Sequence, residues 1–232
     1  MKERPIPFSA PMVRATLSAI DTKTQTRRVV KPVGDDGGFV LQDYGDGLWP
    51  YRSDDGESTM KNGMEIPHAC PYGQPGDRLW VREAYRFDRD FDGIKPSVVG
   101  PGQPVWHEAQ DDVPCHPTVF GKLRPGMFMP RWASRITLEI TGVRVERLQD
   151  ISEEDAIAEG IEKAYVDAAG RQRWRMYDHQ DGVPGEDVAT YAGPSHTSKP
   201  IESFKSLWLS INGPGSWDAN PWVWAVEFRR LP

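Results

Sequence analysis

With 34 acids against 28 bases in 232 residues the chain carries a net charge of −6, which argues against a generally basic nucleic-acid coat and leaves any nucleic acid to a local patch. Nine Trp and 21 Pro at a mean hydropathy of −0.60 point to a loop-rich fold with aromatic anchors rather than a helical bundle. No apolar run approaches the roughly eighteen residues of a membrane span and no basic-then-apolar leader is visible, so a cytoplasmic protein without membrane contact is expected.

In chain order, a short opening strand at Ile6 leads into a helix running to Ala19. Ser9 and Pro11 are its start signals, and Met12, Val13, Thr16 and Leu17 share one face. The basic run Lys23-Thr24-Gln25-Thr26-Arg27-Arg28 follows directly, placing three cations and two hydroxyls within six residues. Such a run describes either a solvated face or a site. As a site, Lys23 is an amine able to deprotonate the Thr26 hydroxyl if the backbone turns between them, and Arg27 and Arg28 suit an anion or phosphate. In one regular strand Lys23 and Thr26 face opposite sides, so cooperation requires a turn or bulge.

From about 33 to 74 the composition shifts to Gly, Asp, Pro and Ser, an insertion with one hairpin expected around Phe39-Val40-Leu41. Pro75-Gly76-Asp77 is a turn. It feeds a strand over Arg78 to Glu83, with Leu79 and Val81 on one face and Trp80 and Arg82 on the other. A second Pro- and Gly-rich insertion spans about 87–126. Within Pro130 to Arg135, Trp132 has the cationic neighbours, Arg131 among them, that suit base stacking. Ser134 to Leu148 alternates as a strand with Ile136, Leu138 and Ile140 on one face and a bulge or turn at Gly142.

Ser152 and Asp155 form a capping box that starts a short helix ending at Glu159, before Gly160. There the helix dipole disfavours negative charge on Glu159, which suits a proton shuttle. A third polar insertion at about 164–198 argues against core structure. Phe204, Leu207, Trp208 and Ile211 then recur at helical spacing up to Gly213, and a β-rich strand over Trp222 to Phe228 closes the chain. His68 and Cys70 with Cys115 and His116 match no standard zinc spacing, and neither metal nor cofactor is expected.

The helix followed by Lys-Thr-x-Thr-x-Arg at Lys23 to Arg28, the run Gly76-Asp77-Arg78-Leu79-Trp80-Val81-Arg82-Glu83 and the closing strand resemble the ASCH family. Cys70-Pro71-Tyr72-Gly73 and Met129 to Arg135 are similar to the larger ASCH proteins encoded by phages and prophages. The resemblance touches roughly half the chain, chiefly its core, and leaves the three insertions outside. It implies an α+β fold, a single 1–232 domain built on a PUA-like β-barrel with flanking helices and long loop insertions. Related small ASCH proteins include bacterial N(4)-acetylcytidine amidohydrolase, so the resemblance implies a hydrolase of the same type with Lys23, Thr26 and Glu159 as catalytic residues. One departure is Asp21, where the family usually has a helix-ending Gly. In this reading Thr24, Arg27, Arg28, Arg82, Arg131 and Trp132 bind substrate or phosphate.

Two other readings stay open. PUA-like barrels commonly bind RNA or modified bases, so the same residues can grip a nucleotide without chemistry. Ribonuclease activity is the third, less attractive without a carboxylate cluster to hold a metal.

Overall fold

A computed structural model of the chain describes residues 1–18, 23–31, 40–41, 48–52, 60–61, 64–65, 67–109, 119–177 and 196–232. The architecture is mixed α and β with few helices. Its largest sheet has five strands in the order Glu3–Pro7, Arg78–Arg82, Thr137–Arg147, Trp222–Arg230, Gln25–Val29. Among the described residues this sheet is open rather than closed into a barrel. Pro5 and Pro7 cannot donate to a ladder on both sides, and their strand lies at one edge. No helix among the described residues is long and apolar enough to cross a membrane.

The chain divides into two compact units, the first Met1–Asp21, Ala69–Val143 and Glu227–Pro232, the second Thr22–His68 and Arg144–Val226. In the first unit the Glu3–Pro7 strand pairs in parallel with Arg78–Arg82, from Glu3 opposite Arg78 to Pro7 opposite Arg82. Asp77 fixes the start of that pairing. Its carboxylate accepts the Lys2 backbone N–H at 2.7 Å and the Arg4 guanidinium at 3.0 Å. The helix Ala10–Leu17 begins after Ser9 with Pro11 in its first turn, and it buries Met12, Val13, Ala15 and Thr16.

Leu79 and Val81 are buried as their alternation predicts, together with Ile136, Leu138 and Ile140. Trp80, on the opposite face, is buried as well. The Arg82 and Arg131 guanidiniums lie over its ring at 4.6 and 5.8 Å and cover it. The strand from Thr137 also runs through Gly142 to Arg147 without turning. A Cβ at Gly142 would sit 2.7 Å from Glu227 Oε2, so the glycine accommodates a neighbouring side chain rather than a bend. A satellite core of Tyr85, Phe87, Val99, Met129 and Ala133 organises the stretch expected as a second insertion.

In the second unit the core comprises Leu148, Ile151, Ala156, Ile161, Trp174, Phe204, Leu207, Trp208, Trp217 and Val223. The helix Pro200–Asn212 contributes Phe204, Leu207 and Trp208, each worth about 1.5–3 kcal/mol of apolar burial. Ile211, at the same spacing, is exposed in the last turn. The third insertion has more structure than its polarity suggested. Lys163–Val166, Gln172–Arg175 and His196–Thr197 form a three-stranded antiparallel sheet, and Trp174 joins the core. The expected hairpin has Val40 and Leu41 paired antiparallel with Arg52 and Tyr51, while Phe39 lies outside the described residues. Asp21, Cys115 and His116 also lie outside them.

Candidate functional site

The short helix Glu153–Ala158 sets the frame of the site. Ser152 caps it by accepting the Asp155 backbone N–H at 3.1 Å, and Glu159 is the residue that caps its C-terminus. Gly160, at φ 83°, takes the left-handed conformation that stops the helix. The basic run is pinned to this end. Lys23 forms an isolated antiparallel bridge with Glu159, and Thr24 N–H donates to the Ala158 carbonyl at 2.9 Å. The strand Gln25–Val29 then continues from that anchor.

Lys23, Gln25 and Arg27 all reach toward carboxylates. Lys23 Nζ lies 3.1 Å from Glu159 Oε2 and also donates to the carbonyls of Gln25 at 2.9 Å and Glu159 at 2.7 Å. Gln25 Nε2 donates to Asp155 Oδ1 at 2.6 Å. Arg27 donates to Glu146 Oε1 through Nε at 2.8 Å, to Glu159 Oε1 at 3.1 Å and to Asp155 Oδ2 at 2.8 Å. Arg144 completes the set by donating to Glu146 Oε2, Gln25 Oε1 and Asp155 Oδ2. Three cations and three carboxylates therefore form one network with no net formal charge.

Burial gives this network its chemistry. Lys23 is 2% exposed, Arg27 2% and Glu159 3%. Burial pushes the Lys23 ammonium below the ordinary lysine range; Glu159 opposes that shift, and the charges of Arg28 and Arg27 add to it. Asp155 moves the other way. Its partial burial favours the neutral acid, but the Gln25 hydrogen bond and the Arg144 and Arg27 charges outweigh this and hold its carboxyl below the usual aspartate value.

Thr26 is fully buried and its Oγ1 has no hydrogen-bond partner. Strand alternation places it on the face opposite Gln25 and Arg27. Lys23 Nζ holds the carbonyl of Gln25, the peptide group that precedes Thr26. Thr24 is exposed, and Arg28 is half-buried with its guanidinium donating to the Arg27 carbonyl.

The remaining residues expected to bind substrate lie in the first unit. Arg131 pairs with Glu3 at 3.0 Å. Trp132 stacks on Phe87 with ring centroids 5.6 Å apart and planes 12° apart, and its Nε1 donates to the Val99 carbonyl. It anchors the satellite core. Arg82 is half-buried over Trp80. Among the described residues no cluster of three or more His, Cys, Asp or Glu side chains is arranged to hold a metal ion, and Cys70 is buried.

Four members of the network are not among the site residues expected from the sequence: Gln25, Arg144, Glu146 and Asp155. Two signals were available. Lys23, Gln25 and Arg27 recur with the strand period of two, and Arg144 and Glu146 alternate with Val143 and Val145 on a strand. Comparison with family models, curated proteins and solved structures finds no match to this chain.

Proposed function

We propose that the chain is an amidohydrolase of the ASCH, PUA-like kind that removes the acyl group from an N-acylated nucleobase or nucleoside, with N(4)-acetylcytidine as the type substrate. The observation that carries this reading is the buried Lys23–Glu159 pair, Nζ to Oε2 at 3.1 Å, with the lysine's proton affinity lowered by burial. In this reading Lys23 passes its proton to Glu159, which leaves an amine base beside a carboxylic acid.

In this reading the neutral Lys23 amine takes the proton of Thr26 Oγ1 as that oxygen attacks the amide carbonyl carbon. The tetrahedral intermediate collapses with cleavage of the C–N bond, and Glu159 delivers its proton to the departing amine. Water then hydrolyses the threonine ester, returning the acyl group as a carboxylate. Support for Thr26 as the nucleophile comes from its unpartnered hydroxyl and from the Lys23 bond to the adjoining Gln25 carbonyl.

The test is incubation with N(4)-acetylcytidine, following free cytidine by chromatography, beside Lys23→Ala, Thr26→Ala and Glu159→Gln. Turnover is expected in the parent chain. It falls below detection in the first two variants and by about 10²–10⁴-fold in the third, the usual contribution of a positioned acid. Absence of turnover on every acylated nucleoside tried refutes the hydrolase. Salt-dependent binding of RNA or a modified nucleoside then becomes the reading to measure.

A further inference from the structure

We propose that the first unit carries a second site, a cavity of about 750 Å³ that binds a small organic anion with an apolar body. Its residues all belong to one unit and none is part of the Lys23 network; Arg82 alone is among the residues expected to bind substrate or phosphate, and the cavity is argued from its own lining without Lys23, Thr26 or Glu159. The volume falls within the roughly 300–1,000 Å³ typical of small-molecule pockets.

The charge of the lining points to an anion. Arg82, Lys95, Lys122 and Arg124 face the cavity against a single carboxylate, Asp92, so four cations against one acid leave three positive charges in a chain whose overall charge is −6. The Asp92 Oδ1 is itself held by the Lys122 backbone N–H at 2.8 Å. Arg124 is 6% exposed, and one of its guanidinium nitrogens donates to the Phe91 carbonyl at 2.6 Å.

The apolar part of the ligand follows from the other wall. Leu123, Met127 and Phe128 line the cavity yet are 46, 65 and 55% exposed, a cluster of large apolar side chains facing solvent beside the cations. The short turn Gly126–Phe128 holds this wall against the Arg82 strand. A Cβ at Gly126 would lie 3.1 Å from the Arg82 carbonyl oxygen, so the glycine lets this turn pack against the Arg82 backbone. A carboxylate or phosphate on the arginines with a flat or aliphatic body on Phe128 and Met127 uses both halves.

The test uses 8-anilinonaphthalene-1-sulfonate, an anion with an aromatic body, titrated into the full chain and followed by fluorescence. One saturable site is expected, weakened at least tenfold in Arg82→Gln/Lys122→Gln. The uncharged N-phenyl-1-naphthylamine should bind at least tenfold more weakly than the sulfonate. Circular dichroism and thermal melting establish that the variant is folded, and Met127→Ser/Phe128→Ser provides a second, charge-neutral lesion that should also weaken the probe. Displacement by 1-naphthyl phosphate in preference to 1-naphthoate assigns a phosphate head, and the reverse order assigns a carboxylate. Equal binding of charged and uncharged probes, unchanged affinity in the folded charge variant, or failure of both competitors overturns the proposal.

Discussion

Glu159→Gln is the substitution that most directly probes the buried network. The change preserves shape but removes the carboxylate that contacts Lys23 Nζ and Arg27 at 3.1 Å each. Arg27 keeps Glu146 and Asp155, so the loss falls mainly on Lys23, whose side chain has no exposed surface. Breaking one partner out of a buried pair costs about 3–5 kcal/mol. A second route gives a ceiling. An ammonium that cannot be accommodated gives up its proton, and holding lysine neutral at pH 7 costs about 1.36 kcal/mol for each of the roughly 3.4 pH units below its free value, about 4.6 kcal/mol.

The two routes agree on a loss of about 3–4.5 kcal/mol at pH 7, a large part of the roughly 5–15 kcal/mol that stabilises a typical domain. Lys23 already titrates below its unfolded value, and the substitution lowers it further. Between the folded and unfolded values the unfolded chain binds more protons, so stability rises with pH there. The deficit should therefore shrink by up to about 1.4 kcal/mol per pH unit as pH rises from 7 toward 10. Urea denaturation followed by tryptophan fluorescence at several pH values measures it. In Lys23→Met/Glu159→Gln the stranded ammonium is gone, and at least about 2 kcal/mol of the loss should return as a coupling between the two positions. A loss under about 1 kcal/mol at pH 7, or one that does not diminish as pH rises, refutes the argument that Glu159 neutralises a buried ammonium.

Thr26→Val replaces a buried, unpartnered hydroxyl with a methyl of similar size, so stability should hold or rise by about 1 kcal/mol while hydrolysis is lost; denaturation and turnover measured on the same sample separate these effects. The pH profile of kcat/KM on N(4)-acetylcytidine should rise as Lys23 becomes neutral and reach its plateau below the free lysine value of about 10.4, because burial lowers the lysine's proton affinity; a rise centred at or above that value contradicts the assignment of Lys23 as base. Trp132→Ala should lower stability by about 3 kcal/mol through loss of the Phe87 stack and the Val99 hydrogen bond, and leave RNA affinity unchanged in a filter-binding assay.

Elements whose residues bury one side of a regular repeat were legible in the sequence. Phe204, Leu207 and Trp208 carry the helical period, and the Ser152–Asp155 cap bond is made as the capping pattern predicts. The three-stranded sheet of the third insertion was not legible for a matching reason. Lys163–Val166 is exposed at all four positions, so burial imposes no alternation on its sequence, and its sheet is completed by His196–Thr197 far along the chain. Alternation describes faces but not what covers them: Trp80, on the face opposite Leu79 and Val81, is buried under two arginines, one from a distant segment.

The same distinction governs the site. Read along the chain, Lys23 to Arg28 is a concentration of positive charge and invites a phosphate. In the fold, Glu146, Asp155 and Glu159 come from a strand and a helix more than a hundred residues later and neutralise Lys23, Arg27 and Arg144 one for one. Lys23 and Arg27 are thus committed to carboxylates, and burial lowers the proton affinity of the Lys23 amine. Arg82, one of the site residues expected from the sequence, and Lys95, Lys122 and Arg124, which lie in no motif, are the cations that line a cavity with one carboxylate among them. Charge density in sequence and charge available to a ligand are therefore different quantities, because the second is set by which acids the fold brings within hydrogen-bond distance.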